Sequence, residues 1–327
     1  DVPVDRRLDA LAGKDVILVF VESYGESALR DPRYAGPLRR RLQAMEQQIT
    51  TAGLSARSGW LGSPTMGGLS WLAHGTLLSG LWVDSQQRYD RLIVSERTSL
   101  NQIFRQSGWR SVAVMPAITM AWPEAGYFGY DRVYAAADLG YRGKPFNWVT
   151  MPDQYTLSAF ETRERSRPHG PVMAEIALIS SHAPWTPIPR LLDWPSVGDG
   201  TVFNAQAQAG DPPEVVWRDP DRVRSHYAAS IDYTLEVLGS YMATHGKNTV
   251  FILLGDHQPA PLVTGQDASR TVPVHLISDD PLLLDRLDAT RWGRGMTPGN
   301  DLTTQPMDRL REELVRAFSG RGDNNHR

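Results

Sequence analysis

The stretch Val250-Phe251-Ile252-Leu253-Leu254-Gly255-Asp256-His257 decides the fold, because an apolar run of strand length ends in two metal-binding residue types. A second apolar run, residues 16–21, ends in a similar way with Glu22. The carboxyl ends of neighbouring parallel strands share one edge of a sheet, where open α/β proteins bind their ligands. Carboxylate oxygens together with an imidazole suit Zn²⁺ or Mn²⁺ better than a packing role. The sequence therefore predicts a site for a divalent metal at this edge.

Strand-like and helix-like segments alternate along the chain, and this alternation predicts the fold class. Apolar runs predict strands over residues 16–21, 111–115, 172–180, 249–254 and 272–278. Helical patterns predict helices over residues 37–51, 66–78, 100–106, 154–165, 223–244 and 307–318. Such an order is typical of an α/β protein with a mainly parallel sheet sandwiched between helices. Pro273 lacks an N–H group for sheet pairing, which places the strand over residues 272–278 near an edge.

The 327 residues are enough for one large α/β domain. We predict a linker over residues 1–14, a single catalytic domain over residues 15–318 with a smaller C-terminal subregion, and a disordered tail over residues 319–327. Residues 183–220 are rich in proline and glycine and interrupt the alternation of strands and helices. A loop of that length in a compact domain is usually functional or mobile, so we predict an active-site loop there.

The composition excludes several kinds of chemistry. The sequence has no cysteine, which removes disulfides, thiolate zinc sites and cysteine nucleophiles together. The formal net charge is −3, so no basic surface indicates a nucleic-acid partner. No apolar stretch reaches the about 18 residues that span a membrane. The first residues read like a linker, and we expect any membrane-spanning helices to lie outside this sequence.

A turn-forming segment, Gly62-Ser63-Pro64-Thr65-Met66-Gly67-Gly68, precedes the predicted helix over residues 66–78. The start of a helix offers unpaired N–H groups and the positive end of the helix dipole, which favour an alkoxide and bind phosphate oxygens. Thr65 is therefore a candidate nucleophile if a metal activates its hydroxyl. The segment alone favours a simpler role for Thr65, as the residue that caps the helix. Its combination with Glu22, Asp256 and His257 favours catalysis.

Four segments in this order resemble the alkaline phosphatase/sulfatase superfamily. They are Val19-Phe20-Val21-Glu22-Ser23-Tyr24-Gly25, Pro64-Thr65 before a helix ending in Leu77-Leu78-Ser79-Gly80, Ser180-Ser181-His182, and Leu253-Leu254-Gly255-Asp256-His257. The sequence is most similar to the extracellular catalytic domains of lipoteichoic acid synthase and related phosphoglycerol and phosphoethanolamine transferases. The resemblance extends over residues 15–278 and implies an alkaline-phosphatase-like fold.

The resemblance also implies roles for individual residues. Glu22, Thr65, Asp256 and His257 would bind one Mn²⁺ or Zn²⁺ ion, with Mg²⁺ as a further candidate. Thr65 would attack phosphorus and form a phospho-threonine intermediate. His182 would contact the transferred phosphate and protonate the leaving oxygen, and Trp122 would contact the substrate. Trp185 is a further candidate for substrate binding, because it flanks the proposed site in the sequence.

The implied activity is transfer of a phospho-headgroup, of the phosphoglycerol or phosphoethanolamine type, from a lipid donor to a glycan or polymer acceptor. We expect a monomer at the periplasmic or extracellular face of the cytoplasmic membrane. Sulfatases need a C/S-x-P-x-R motif to make formylglycine, and Ser63-Pro64-Thr65 does not fit that motif. The alternatives are a phosphodiesterase, phosphatase or sulfatase-like hydrolase on the same fold, or a catalytically silent binding module of the cell envelope.

Overall fold

A computed structural model describes residues 7–320 of the chain. The nine strands among these residues belong to one sheet. Their bounds are β1 Asp15–Val21, β2 Ser55–Gly62, β3 Arg110–Met115, β4 Arg132–Ala135, β5 Val172–Leu178, β6 Thr249–Gly255, β7 Thr271–Ser278, β8 Gly293–Arg294 and β9 Gln305–Pro306.

The α-helices of the described residues lie between these strands and after them. Their bounds are α1 Ser27–Arg30, α2 Ala35–Thr51, α3 Ser70–Ser79, α4 Gln86–Ile93, α5 Leu100–Gln106, α6 Ala125–Phe128, α7 Asp153–Phe160, α8 Asn204–Ala207, α9 Pro213–Val216, α10 Pro220–His245, α11 Pro261–Thr264, α12 Pro281–Leu284 and α13 Arg309–Phe318. A π-helical turn, Glu161–Arg165, extends α7. Within residues 7–320, no helix is both long and apolar enough to cross a membrane.

The strand order in the sheet is β4-β3-β5-β1-β6-β7-β2-β8, and β9 pairs with β2. Strand β1 lies in the middle and pairs in parallel with β5 on one side and β6 on the other. In this register Val21 lies opposite Leu178 and Gly255. The residues that follow these three strands therefore meet at one edge of the sheet.

Helices cover both faces of the sheet. Strand β1 is buried along its whole length, and its residues alternate between two apolar clusters. Val19 and Val21 pack with side chains of α2, α7 and α10, and Leu18 and Phe20 pack with side chains of α3, α5 and α13. A strand that is buried on both faces needs a continuous apolar sequence, which explains the run over residues 16–21. The predicted α/β class with a mainly parallel sheet between helices is confirmed.

The predicted helix over residues 66–78 is wrong at its start, because α3 begins at Ser70. Three successive residues before it, Gly67, Gly68 and Leu69, have φ angles of 73°, 156° and 60°. Positive φ is incompatible with a right-handed helix, and the two glycines adopt it without a steric penalty. The helix start therefore lies five residues beyond Thr65.

The sheet also contains a strand that the apolar pattern did not reveal. Strand β2 pairs antiparallel with β7 along its whole length. Strand β7 is consequently an interior strand, and its predicted place near an edge is wrong. Pro273 lies beyond the residues of β7 that pair with β6, which end at Val274, so its missing N–H group does not interrupt that pairing.

The ends of the described chain pack against the domain. Within the predicted linker, Leu8 and Leu11 are fully buried, and the Leu8 N–H group donates to the Ser319 hydroxyl at 3.0 Å. Leu8 and Leu11 therefore pack against the domain, whereas Asp9, Ala12 and Gly13 between and after them are exposed. The domain boundaries stay a prediction. Residues 1–6 of that linker and residues 321–327 of the predicted tail lie outside the described residues.

The predicted active-site loop, residues 183–220, contains short helices rather than one extended segment. It includes α8, α9 and two 3-10 turns, Trp194–Ser196 and Thr201–Phe203. Val197, Phe203 and Val216 are buried in the core cluster that contains α10. The loop is thus attached to the face of the sheet covered by α2, α7 and α10.

Gly255 ends β6, and a Cβ atom built there would lie 1.7 Å from the backbone oxygen of Tyr24. We expect Gly255→Ala to force the two backbones apart and to lower the free energy of unfolding by about 1–3 kcal/mol. Urea denaturation measures this change. Gly126→Ala is the matched control, since no atom lies within 4 Å of its Cβ position. Equal stability of the two variants would contradict the close approach of Gly255 to Tyr24.

Candidate active site

The three residues that follow β1 and β6 come together at the carboxyl edge of the sheet. One ligand atom each from Glu22, Asp256 and His257 lies within 4.8 Å of the others. His257 Nε2 is 3.2 Å from Glu22 Oε1 and 3.6 Å from Asp256 Oδ2. All three residues are buried, with exposed fractions of 9%, 1% and 1%. The structure thus groups the side chains that the strand ends predicted.

Backbone hydrogen bonds fix the orientation of this group. Asp256 Oδ1 accepts from the N–H groups of Ser23 and His257, at 2.9 and 2.7 Å. His257 Nδ1 lies 2.8 Å from the carbonyl oxygen of Gln258. A carbonyl can only accept, so Nδ1 carries a proton and Nε2 is the nitrogen that faces the carboxylates. This is the arrangement that metal-binding histidines usually adopt.

The group concentrates negative charge in a buried place. Burial and the nearby charge of Glu22 raise the pKa of Asp256 to about 7. Burial alone would raise the pKa of Glu22, but the hydrogen bond and charge of His257 outweigh it and hold that pKa well below the usual range. Burial would lower the pKa of His257, whereas Asp256 and Glu22 raise it to about 10. The site therefore favours a bound positive charge, either a proton or a metal cation.

A fourth side chain, Ser70, reaches the same point from the first residue of α3. Its hydroxyl donates to Glu22 Oε2 at 3.0 Å and lies 3.2 Å from His257 Nε2. The residue is partly exposed, unlike Asp256 and His257. Ser70 also lies at the positive end of the α3 dipole, which favours an anionic oxygen. We did not identify Ser70 from the sequence, although the helix-breaking pair Gly67-Gly68 could have indicated a helix start after it.

Thr65 lies in the loop before α3 rather than at its start. Its hydroxyl donates to the carbonyl oxygen of Gly68 at 2.8 Å. Within residues 7–320, it makes no hydrogen bond with Glu22, Asp256 or His257. The structure therefore does not bring Thr65 into the hydrogen-bonded group, and the helix dipole that was assigned to it acts on Ser70 instead.

His182 lies beside the group, on the loop that follows β5. The preceding residue, Ser181, donates its hydroxyl to the carbonyl oxygen of Glu22 at 2.5 Å. The His182 side chain is exposed, and its Nδ1 lies 2.6 Å from the carbonyl oxygen of Ala183. The charge of His182 contributes to the low pKa of Glu22, after the larger effects of burial and of His257. His182 is thus an accessible group at the mouth of the site.

Trp185 has less contact surface than its predicted role needs, whereas Trp122 is partly exposed. Trp185 is only 4% exposed, because its ring stacks on Trp217 at 5.8 Å and its Nε1 donates to Ser181. Trp217 is 41% exposed and is the member of this pair that a substrate can reach. Trp122 packs against Phe128 and Tyr130, with ring centroids 6.1 and 5.9 Å apart.

A buried polar network lies one helical turn from Ser70. Glu175, in the middle of β5, is 3.1 Å from His74 Nδ1 on α3 and accepts from Asn101 Nδ2 on α5 at 3.1 Å. The Tyr130 hydroxyl also donates to Glu175. The His74 ring stacks on Phe20 at 3.8 Å. This network links α3 and α5 to the sheet and so fixes the helix that carries Ser70.

The donor set fits one divalent metal. Two carboxylates and the imidazole Nε2 place one ligand atom each within 4.8 Å of the others, and the Ser70 hydroxyl contacts Glu22 and His257. Oxygen with imidazole ligands suits Zn²⁺ and Mn²⁺. Loss of the protons of Asp256 and His257, whose pKa values are raised, would leave a net negative charge that such a cation neutralises.

Comparison with known proteins assigns the class. The sequence matches the family model described as Sulfatase over residues 14–273, which include all of Glu22, Ser70, Asp256 and His257. The protein is therefore an enzyme of the alkaline phosphatase/sulfatase superfamily, as the sequence resemblance implied. Within that superfamily, the chain belongs to the sulfatase family. No curated protein is similar enough in sequence to count as a match.

Several solved structures share the fold. Lipoteichoic acid synthase LtaP from Listeria monocytogenes is 14% identical, with 96% of this chain and 74% of LtaP covered and a TM-score of 0.59. Phosphoglycerol transferase GacH from Streptococcus pyogenes, in complex with sn-glycerol-1-phosphate, is 12% identical, with coverages of 97% and 78% and a TM-score of 0.61. The C-terminal periplasmic domain of EptC from Escherichia coli, in complex with Zn, is 13% identical, with coverages of 96% and 85% and a TM-score of 0.60.

Metal binding should depend on pH in a definite direction. The raised pKa values of Asp256, about 7, and His257, about 10, mean that protons occupy the metal-free site at neutral pH. A metal must displace these protons, so we expect Zn²⁺ affinity to rise with pH and binding to release protons. Calorimetry in buffers of different ionisation enthalpy measures both quantities. A Zn²⁺ affinity that does not change with pH would contradict the proposed ligand group.

Proposed function

We propose that this protein is a metal-dependent phosphoryl-group transferase in which Ser70 is the nucleophile. One observation carries the assignment: the Ser70 hydroxyl contacts both Glu22 and His257, whereas the Thr65 hydroxyl is engaged with Gly68. A serine at a helix start, beside the ligands of a divalent metal, has the environment that activates a hydroxyl for attack.

In this proposal Glu22, Asp256 and His257 hold one divalent metal, Mn²⁺ or Zn²⁺ with Mg²⁺ as a further candidate, and Ser70 completes the group. When bound there, a divalent metal would neutralise charge on the phosphoryl oxygens and would lower the pKa of the Ser70 hydroxyl. Glu22 Oε2 already accepts the hydrogen bond of the Ser70 hydroxyl and is therefore the first acceptor of its proton. The N–H groups at the start of α3 favour negative charge on the same oxygen.

The reaction proceeds in two displacements. Ser70 Oγ forms a bond to phosphorus while the bond to the donor alcohol breaks, and the departing oxygen takes a proton from His182. The oxygen of an acceptor hydroxyl then bonds to phosphorus and gives its proton to His182, while the bond to Ser70 Oγ breaks and Ser70 Oγ takes its proton back from Glu22. Water in place of the acceptor would make the same site a phosphodiesterase.

We assign the substrates to the class of phospho-headgroups carried by a lipid, with a glycan or polymer as acceptor. The names of two similar structures, a lipoteichoic acid synthase and a phosphoglycerol transferase, support this class. Sulfate-ester hydrolysis through formylglycine is disfavoured, because Leu72 and His74 stand where the C/S-x-P-x-R motif counted from Ser70 needs Pro and Arg. Trp217 is the exposed aromatic side chain that we assign to the substrate in place of Trp185.

We further propose that residues 15–318 form the catalytic domain of a monomer outside the cytoplasmic membrane. The comparison with periplasmic domains of EptC supports this location.

Ser70→Ala tests the nucleophile against Thr65→Ala. We expect Ser70→Ala to lower kcat/KM on an aryl phosphodiester by at least about a thousandfold, because loss of a nucleophile removes the covalent route. Thr65→Ala should change it by less than about tenfold, since its hydroxyl bonds only within its own loop. Bound metal per protein, measured by elemental analysis, should remain near that of the unaltered protein in both.

Mass spectrometry of the acid-quenched enzyme completes the test. A phosphorylated adduct on the peptide that contains Ser70 is the expected result, and it should be absent from Ser70→Ala. An adduct on Thr65, or full turnover by Ser70→Ala, would show that the nucleophile assignment is wrong. Turnover of aryl sulfate in preference to phosphodiester would instead show that the protein is a sulfatase.

A further inference from the structure

An arginine-lined cavity lies at the other end of α3 from Ser70. Its volume is about 370 Å³, and its charged lining consists of Arg7, Arg97, Arg311, Arg316 and Glu312. The ten residues of α3 make a helix about 15 Å long, so this cavity is separate from the metal-binding group. Nothing in the proposed reaction uses it.

Arg311 is a buried cation without a carboxylate partner. Its side chain belongs to α13, and the residue is only 9% exposed. One guanidinium nitrogen donates to the carbonyl oxygen of Thr98 at 2.6 Å, while its Nε–H group has no hydrogen-bond partner in the part of the chain that the structure describes. Among residues 7–320, no acidic oxygen lies within 4.0 Å of it. A buried charge without a counter-charge is costly, so the site favours an anion.

A second arginine, Arg97, increases this positive charge. Its Nε donates to the carbonyl oxygen of Ser79 at 2.8 Å. A Cβ atom built on Gly80 would lie 3.3 Å from Arg97 and 3.0 Å from Arg311, so both guanidinium side chains border the same point. Burial and then the charge of Arg97 lower the pKa of Arg311. The two cations therefore repel each other across the cavity.

A third polar group close to the two arginines lacks a partner. The hydroxyl of Tyr127 is buried and makes no hydrogen bond to the described residues. Burial raises the pKa of Tyr127 to about 12, and the charges of Arg311 and Arg97 act in the opposite direction, which places all three groups near one another. Tyr127 thus adds a buried hydroxyl without a partner among the described residues, within electrostatic reach of both arginines.

Glu312, the acid among the described lining residues, does not balance these cations. Glu312 is half exposed and lies 3.7 Å from Arg316, which is its ion-pair partner. The buried part of the cavity therefore keeps an excess of positive charge and of hydrogen-bond donors. Arginine forks match the oxygens of a phosphate group in geometry and charge.

We propose that this cavity binds a phosphate group, at a site that is distinct from the catalytic centre and independent of the function proposed above. Free inorganic phosphate and the phosphodiester of a lipid headgroup share the chemistry that Arg97 and Arg311 would recognise. Binding would neutralise the two neighbouring cations and give the Arg311 Nε–H group an acceptor.

Arg97→Gln tests the site, with Arg40→Gln as its matched control. Arg97 is partly exposed, so its replacement should not prevent folding, and Arg40 is an exposed arginine of α2 on the opposite face of the sheet. Inorganic phosphate is titrated by calorimetry into each metal-loaded protein at low ionic strength. We expect Arg97→Gln to weaken binding by about tenfold or more, because it removes a charged hydrogen bond. Arg40→Gln should leave it unchanged.

Phosphate binding at the catalytic centre should be the same in the unaltered protein, Arg97→Gln and Arg40→Gln. The difference in phosphate affinity between the two variants therefore reports binding in the cavity alone. Turnover should be the same in all three. Equal phosphate affinity of Arg97→Gln and the unaltered protein, or no saturable binding beyond one catalytic site, would overturn the proposal.

Vesicles distinguish the source of the phosphate group. Co-sedimentation with phosphatidylglycerol vesicles that Arg97→Gln reduces and Arg40→Gln preserves would identify a lipid headgroup as the ligand. Phosphate binding without vesicle binding would identify a soluble phosphate. Both results require that Arg97→Gln weakens phosphate binding, and without that loss the site is contradicted whatever the vesicles show.

Discussion

The structure depends on two carboxylates, Glu22 and Asp256, that are buried side by side at the ends of adjacent strands. The parallel register of β1 and β6 places Val21 opposite Gly255, so the next residue of each strand must emerge at the same place. Two negative charges in a buried setting repel each other and lose hydration. Such an arrangement persists only where a cation compensates, and His257 lies between them to hold either a proton or a metal.

The surrounding structure keeps these charges from moving apart. Gly255 allows the β6 backbone to approach Tyr24, a position that a larger residue would block. Ser23 turns the chain with a φ of 57° and directs its N–H group to Asp256. On the other side, Glu175 and His74 fix α3 against the sheet, so that Ser70 meets Glu22. The reactive geometry therefore rests on the packing of several elements rather than on the ligands alone.

The sequence predicted those parts of the fold that local patterns determine. Residues 16–21 and 249–254 are continuous apolar runs, because strands covered on both faces need them, and the ligands that follow them were identified correctly as neighbours. Strand β2 was missed because Arg57, Ser58 and Gly59 interrupt any apolar alternation, and its pairing with β7 is a tertiary effect. The same limit applies to the burial of Trp185, which depends on the distant Trp217.

Ser70 was missed for a different reason, which is that a helix start depends on the backbone angles before it. The pattern of apolar residues extends back to Met66, but the positive φ angles of Gly67, Gly68 and Leu69 delay the helix. Because α3 starts at Ser70, the Thr65 hydroxyl lies outside the helix and away from the positive end of its dipole. The position of a nucleophile at a helix terminus is therefore as uncertain as the terminus itself when only sequence is considered.

The two ends of α3 carry opposite excesses of charge. At its N-terminus, the positive end of the helix dipole faces Glu22 and Asp256, whose combined negative charge exceeds what a partial dipole charge can balance. At its C-terminus, Arg97 satisfies the Ser79 carbonyl and complements the negative end of the dipole. The buried Arg311 beside Arg97 adds a second positive charge that the helix dipole does not need. Asp256 beside Glu22 likewise adds a second negative charge at the other end. By the same electrostatic argument, one end of the helix calls for a cation and the other for an anion.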